Sequence, residues 1–436
     1  MTLLNPDAET RFEKLLEDLP EETVQLARQF KAFTRARKIK TPAQLMRVVL
    51  LYCGLDQSLR EVAATMTLLE ERITDQAVLE RLAVCGPWLK AVLEQMLPAV
   101  PTVPRRFRVL LIDGSTVEGP GAKGTNYRLH LCFDLVAMTF TEILITDKHT
   151  GESLKHFTLQ AGDLAIADRG FCHPRPMMEA AKNGADLLVR LNGHSVPLFD
   201  RQGRALDLVK TLKAQPLTPF RTIAVLMGPS RSSERLAGWV HAYRLPEAAA
   251  AAARRRARKN AKKGHEPTEK TLYLVGWVIV FTTVAPSLLS AETILTLYRC
   301  RWQIELAIKR WKSLLNVARL RSREGGTLAE VWLQGKLVYA VLLEQRTRHR
   351  VGAGWGNFDT VRTGTFWRLW KLLSQAMIPL IVGVASWQEQ QWADALEVLM
   401  ERRRRRQLQS LPEQARALVE TEEQTKLAGR LLRMAA

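Results

Sequence analysis

The stretch FRVLLIDGST, residues 107–116, decides the fold. Its first six residues are an apolar run of strand length, and the Asp113-Gly114 pair that follows predicts a tight turn. The run therefore reads as a strand that ends with a projecting carboxylate. Working outward, RLHLCFDL (128–135) and TFTEILIT (139–146) are further apolar or alternating runs, set off from the first by the glycine-rich stretch 119–124. LAIA (164–167), a helical segment at 176–182 and DLLVRL (186–191) complete the pattern. Three strands followed by strand, helix and strand predict an α/β fold on a mixed sheet with helices on its faces.

The flanks differ from this centre. Residues 9–98 read as helical, and TPAQ (41–44) and SLRE (58–61) fit the capping box, with Pro42 at the first helical position. Segments 58–67 and 74–84 fit either a DNA-reading helix-turn-helix or two short helices of a small bundle. Residues 194–283 carry strand-like pieces at 196–199, 221–227, 239–245 and 272–281 around an alanine- and arginine-rich run at 248–263. Residues 326–436 return to helix and include five arginines at 402–406. No internal repeat interrupts this order.

At 436 residues, 47% hydrophobic and 25% charged, the composition excludes a wholly disordered chain. The formal charge of +20 calls for a polyanionic partner. Residues 1–190 carry 24 Lys+Arg against 24 Asp+Glu, whereas 191–287 carry 16 against 6 and 288–436 carry 24 against 14. The polyanion is expected against the second half. Five scattered cysteines without a Cys-x2-Cys pair argue for a reducing compartment and against a zinc site. The N-terminus lacks a signal-peptide pattern, and the most apolar run, 271–289, is broken by Thr282, Thr283 and Pro286 and reads as a buried strand followed by a helix start. A cytoplasmic protein without membrane contact is the expectation, which makes nucleic acid the polyanion.

A second stretch supplies the chemistry: LYRCRWQIELAIKRWKSLL, residues 297–315. At 100° per residue, Leu297, Ile304, Ile308, Trp311 and Leu315 form an apolar stripe, and Tyr298, Arg301, Glu305, Lys309 and Lys312 form a polar stripe bordering it. Alone, this is equally an amphipathic helix whose i,i+4 pairs Arg301–Glu305 and Glu305–Lys309 contribute about 0.3 kcal/mol each. Two aspartates elsewhere alter that balance. Asp113, and Asp168 in LAIADRGF, stand at expected strand ends among small residues, where hard divalent cations find rigid oxygen ligands with room for water and phosphate. Asp134 and Asp163 are rivals whose positions suit structural roles better. Should neighbouring parallel strands bring Asp113 and Asp168 together and a helix add Glu305, three carboxylates can hold two magnesium ions about 3.5–4 Å apart for in-line phosphoryl transfer. Arg301 and Lys312 would then hold phosphates alongside.

Asp113 in IDGST, Asp168 in ADRGF and the spacing Tyr-x2-Arg-x3-Glu-x6-Lys formed by Tyr298, Arg301, Glu305 and Lys312 resemble the DDE transposases of bacterial insertion sequences, in the insertion-sequence-four group. The resemblance spans residue 105 to about residue 344. It implies a ribonuclease-H-like catalytic core interrupted by a β-rich insertion, with helical N- and C-terminal regions. It also implies two Mg2+ or Mn2+ ions per active site on Asp113, Asp168 and Glu305, and phosphate contacts near the cleaved end from Tyr298, Arg301 and Lys312. The implied reaction is cut-and-paste transposition through a DNA hairpin, by a homodimer that binds double-stranded terminal inverted repeats and target DNA near the nucleoid. The organisation expected is a DNA-binding region at 1–104, the catalytic core at 105–193 and 284–345, the insertion at 194–283, and a region for dimerisation or DNA contact at 346–436.

Trp277 lies 21 residues before Tyr298, where the family can place a tryptophan that stacks on a flipped base; it equally suits the core of a strand. Trp302 is a second candidate, with the core as its better-fitting place. The basic run Arg254, Arg255, Arg256, Arg258, Lys259, Lys262 and Lys263 is expected on phosphates, a solvated loop or frayed helix being the plainer description. Two alternatives stand beside the transposase: a catalytically silent DNA-binding descendant, and a structure-specific nuclease of the same fold.

Overall fold

The computed structural model describes residues 12–98, 107–191, 196–214, 219–229, 232–261, 266–351, 362–363, 366–383 and 401–402. Lys262, Lys263 and the arginines at 403–406 lie outside the described residues. The N-terminal region is helical as expected: α1 (Phe12–Leu16), α2 (Thr23–Gln29), α3 (Pro42–Val49), α4 (Leu59–Leu69), α5 (Asp75–Leu82) and α6 (Gly86–Met96). The caps act as their residues dictate. Thr41 accepts from the Gln44 amide with Pro42 in the first turn, and Ser58 and Glu61 complete a reciprocal capping box on α4.

The sheet begins with β1 (Arg108–Val117), β2 (Tyr127–Asp134) and β3 (Thr139–Asp147), each antiparallel to the next. β4 (Asp163–Ala167) then pairs parallel to β1, α7 (Pro174–Lys182) crosses over, and β5 (Asp186–Arg190) pairs parallel to β4. The order β3-β2-β1-β4-β5 with these directions is the ribonuclease-H-like arrangement, on a mixed sheet. Alternation along β1 sorts the core: Val109 and Leu111 join the cluster shared with the N-terminal and C-terminal helices, while Leu110 and Ile112 pack with Phe171 and Met177 on the other face.

The sheet does not stop at β5. Residues 198–282 supply β6 (Leu198–Phe199), α8 (Leu208–Ala214), β7 (Phe220–Met227), β8 (Leu236–Arg244), α9 (Glu247–Asn260), α10 (Glu269–Leu274) and β9 (Trp277–Thr282). β9 lies antiparallel on β5, with Arg190 opposite Val280, so all nine strands form one sheet ordered β3-β2-β1-β4-β5-β9-β8-β7-β6. The chain continues as α11 (Ala291–Cys300), α12 (Trp302–Leu314), α13 (Ala329–Val351), a short β10 (Arg362–Thr363), α14 (Phe366–Val382) and β11 (Glu401–Arg402).

Three expectations need correcting. β1 continues five residues past Ile112, because Asp113 to Val117 keep pairing with Leu131 to Tyr127; Asp113 sits inside a strand, and Gly114 forms no turn. The run 272–281 is not one strand, since Thr268 accepts from the Thr271 amide and winds its first part into α10. The stretch 297–315 is two helices meeting at Arg301, where the Arg301 and Ile304 amides bond to Tyr298 O and Arg301 O, three residues back instead of four.

The N-terminal helices share a core with the rest. The α13 side chain of Lys336 is fully buried, donates to Gly54 O at 2.9 Å and pairs with Asp56, which also accepts from Trp332 Nε1. On α12, Arg310 lies over the rings of Phe366 and Trp370 from α14. Among the described residues, no helix is long and apolar enough to cross a membrane.

Candidate active site

In the parallel pairing of β1 and β4, Ile112 stands opposite Ala167, so Asp113 and Asp168 are adjacent at the next step. Asp113 Oδ1 accepts from the Gly114 amide at 2.8 Å, and its Oδ2 lies 3.4 Å from Arg301 Nη1. Asp168 follows β4 directly and caps a single turn, accepting from the Gly170 amide at 2.7 Å. Glu305, in the first turn of α12, pairs with Arg301 Nη2. One guanidinium thus holds Asp113 on one side and Glu305 on the other.

The apolar stripe of the helix pair is buried against the sheet: Leu297, Ile304, Ile308, Trp311 and Leu315 all lie in the core, and Trp311 packs on Phe140 of β3 at 4.2 Å between ring centroids. After α12, the chain returns along β1, where the Glu118 amide bonds to Ala318 O and the Leu320 amide to Glu118 O. The azimuth of Glu305 is fixed by these contacts. The rivals are occupied elsewhere. Asp163 makes a buried two-pronged pair with Arg108, and Asp134 accepts from the Val136 and Ala137 amides in the β2–β3 turn.

Burial pushes the Asp113 carboxyl up to about 6; Asp168 and Glu305 push the same way, while Arg301 opposes them. Burial also weakens the Arg301 charge, but Tyr298, Glu305, Asp113 and Asp168 together hold its pKa above the ordinary arginine value. With one guanidinium among three carboxylates, the cluster remains negative. Among the described residues, no group of three or more His, Cys, Asp or Glu side chains is spaced to hold a metal ion as it stands, since Arg301 lies between Asp113 and Glu305. The donor chemistry does fit divalent cations: carboxylate oxygens from a strand, a strand end and a helix.

Tyr298 is buried, with the Arg301 guanidinium 5.9 Å from its ring centroid. Neither Tyr298 Oη nor Arg301 Nε has a partner that meets hydrogen-bond geometry. Lys312 is exposed, and so is Lys309, which makes no ion pair with Glu305; Arg301 takes that carboxylate instead. The two tryptophans exchange their expected settings. Trp277 is 6% exposed and packs with Tyr273, whereas Trp302 is 43% exposed beside Arg301. The basic run is helical from Arg254 to Lys259, in α9; Arg255, Arg256, Arg258 and Lys259 are exposed, and Arg254 pairs with Glu247 at 2.7 Å.

Three further groups border the site. Arg169 lies in ADRGF itself and Arg190 ends β5; burial and then Arg190 lower the Arg169 pKa while Tyr298 opposes them, and Arg190 acts on Tyr298 in turn. Among the described residues neither has an ion pair. Glu152 reaches the site from the β3–β4 connection, its pKa raised by burial and then by Asp168. Arg169 is legible from its place beside Asp168, whereas Glu152, in the loop sequence TGES, carries no signal.

The family model described as the transposase DDE domain matches residues 104–340. InsL of insertion sequence element IS186A in Escherichia coli (strain K12) is 33% identical over 336 residues, 74% of this chain and 90% of that one. The transposase for insertion sequence element IS421 of Escherichia coli is 33% identical over 337 residues, with the same shares. The transposase for insertion sequence element IS231B of Bacillus thuringiensis subsp. berliner is 28% identical over 219 residues, 46% of each chain. With adjacent aspartates on the sheet, a glutamate on the facing helix and these relatives, the chain belongs to the DDE transposases of bacterial insertion sequences.

Proposed function

We propose that this transposase performs cut-and-paste transposition by nicking the ends of its element, closing a hairpin and joining the freed ends to target DNA. The observation that carries it is the convergence of Asp113 and Glu305 on one arginine, with Asp168 beside them in strand register. Two divalent ions on these carboxylates would activate the attacking oxygen and neutralise the leaving one. The side chains do the rest. Arg301, released from its carboxylates, is placed to take a phosphate oxygen, and the buried Tyr298 hydroxyl is a second donor next to it. Lys312, Arg169 and Arg190 extend the same positive border, and the exposed face of α9 offers non-specific phosphate contacts. Residues 1–104 are assigned to DNA binding, and a homodimer is assigned to the synaptic complex because two ends must be cut together.

For hairpin formation, Trp302 is the better placed stacking surface, since it is already exposed beside Arg301, whereas Trp277 would first have to leave the core. The test is an end-cleavage assay with Mg2+ on the element's own ends. Asp113→Asn, Asp168→Asn and Glu305→Gln should each lower nicking by about 10³-fold or more while leaving DNA binding intact. Nicking at the wild-type rate by any of the three removes that residue from the triad. In the same assay Trp302→Ala should spare nicking and lower hairpin yield; an unchanged yield rejects the stacking role.

A further inference from the structure

Gly114 and Gly170 follow the two aspartates of the site by one and two residues, and one side chain keeps both bare. A Cβ on Gly114 would lie 2.5 Å from Glu152 Oε1. One on Gly170 would press closer still on Glu152 Oε2 and lie 3.1 Å from Asp168 Oδ1. Neither position accepts a side chain unless Glu152 moves. The Glu152 carboxylate is therefore wedged between β1 and the turn after β4, one oxygen against each glycine.

The loop that delivers Glu152 is anchored on both sides of it. Asp147 Oδ1 accepts from the amides of His149 and Thr150. His156 Nε2 donates to Gly151 O at 2.9 Å, and the His156 ring lies 4.3 Å from that of His130 on β2. Ser153 caps the turn Leu154–His156, and Leu154 and Phe157 are buried. Among the described residues the carboxylate so delivered has no hydrogen bond and no ion pair. Burial and Asp168 act against this half-buried carboxylate more than Arg128 and His173 act for it, and a cation would offset the difference.

We propose that Glu152 is a positioning residue of this site, whose carboxylate fixes Asp168 against Asp113 and adds the charge that draws the divalent cation. The inference rests on the reading of Asp168 as a cation ligand. Its test is a titration of the full chain with Mn2+, free Mn2+ being read by electron paramagnetic resonance, beside the Mg2+ concentration that half-saturates end nicking. Glu152→Gln keeps the wedge and removes the charge. It should raise the Mn2+ Kd about 10-fold, the effect typical of groups that support metal ligands, and raise the half-saturating Mg2+ by a similar factor without lowering the melting temperature. An unchanged Mn2+ Kd overturns the inference. Asp168→Asn is the reference: if it too binds Mn2+ as wild type does, the reading of Asp168 fails and takes the inference with it. Should Glu152→Gln not fold, Gly114→Ala, whose methyl presses on Glu152 and not on Asp168, pushes the same carboxylate aside and carries the same two expectations.

Discussion

Arg301 and the arginines of α9 are the same residue type put to opposite use. Arg301 is mostly buried where two helices meet, holds two carboxylates and lies beside the Tyr298 ring. On α9, Arg255, Arg256 and Arg258 stand in solvent on a helix whose one fully buried side chain is Ala250. Fixed geometry gives Arg301 direction, so that its loss should be felt by particular atoms. Exposed charge gives α9 reach without direction, and its removal should average over many phosphates.

The largest effect that would sharpen this contrast is expected of Arg301→Ala. It leaves Asp113 and Glu305 without their shared cation and removes the proposed phosphate donor, so end cleavage should fall about 10²- to 10³-fold. Arg301→Lys should restore little, because a compact ammonium does not reproduce the two separate nitrogens that reach Asp113 and Glu305 from one plane. Cleavage within a few-fold of wild type in either variant would place Arg301 in the same class as α9.

Next in size is a pH effect in the metal-free protein. Asp113 titrates near 6 when folded against 3.8 as its ordinary value, so between these limits the folded chain holds a proton that the unfolded chain releases. Stability from this group is greatest below about pH 4 and falls as pH rises through 6. Asp113→Asn has no such proton to lose and should gain on wild type over that window, by up to about 3 kcal/mol in chemical denaturation. A pH-independent difference would mean that Arg301 already compensates Asp113 in full. The smallest effect belongs to α9. Changing Arg255, Arg256, Arg258 and Lys259 to glutamine should move stability by no more than about 0.5 kcal/mol, while the slope of log K against log salt shrinks by about 0.9 for each phosphate that α9 no longer neutralises. An unchanged slope would make α9 a solvated helix.

The succession of strands from β1 to β5 and the mixed sheet they form are legible in the sequence because apolar runs and their spacing report burial directly, whereas the joining of the insertion strands to that sheet is not. Asp113 stands out there for a partly mistaken reason: Asp-Gly suggests a turn, yet the pairing of β1 with β2 carries the strand onward to Val117. No residue type marks the break at Arg301, which has neither glycine nor proline beside it, so one helix is the natural reading of 297–315. The reversal of Trp277 and Trp302 is equally hidden, since periodicity does not say which end of a strand is covered. Glu152 is beyond reach for a further reason. Its meaning lies in what two distant glycines leave out, and that appears only when the three are side by side.

The joining of β9 to β5 has a mechanical consequence. Arg190, at the end of β5, is paired through its backbone with Val280, and β9 is in turn paired with β8 along its length. Excising residues 194–283 would therefore not trim a loop; it would strip β5 of its neighbour on that side and leave a bare edge beside the candidate site, open to pairing with another chain. The segment that carries the basic helix also closes the flank of the sheet that holds Asp113, so that any load on it would pass along hydrogen-bonded strands to Arg190.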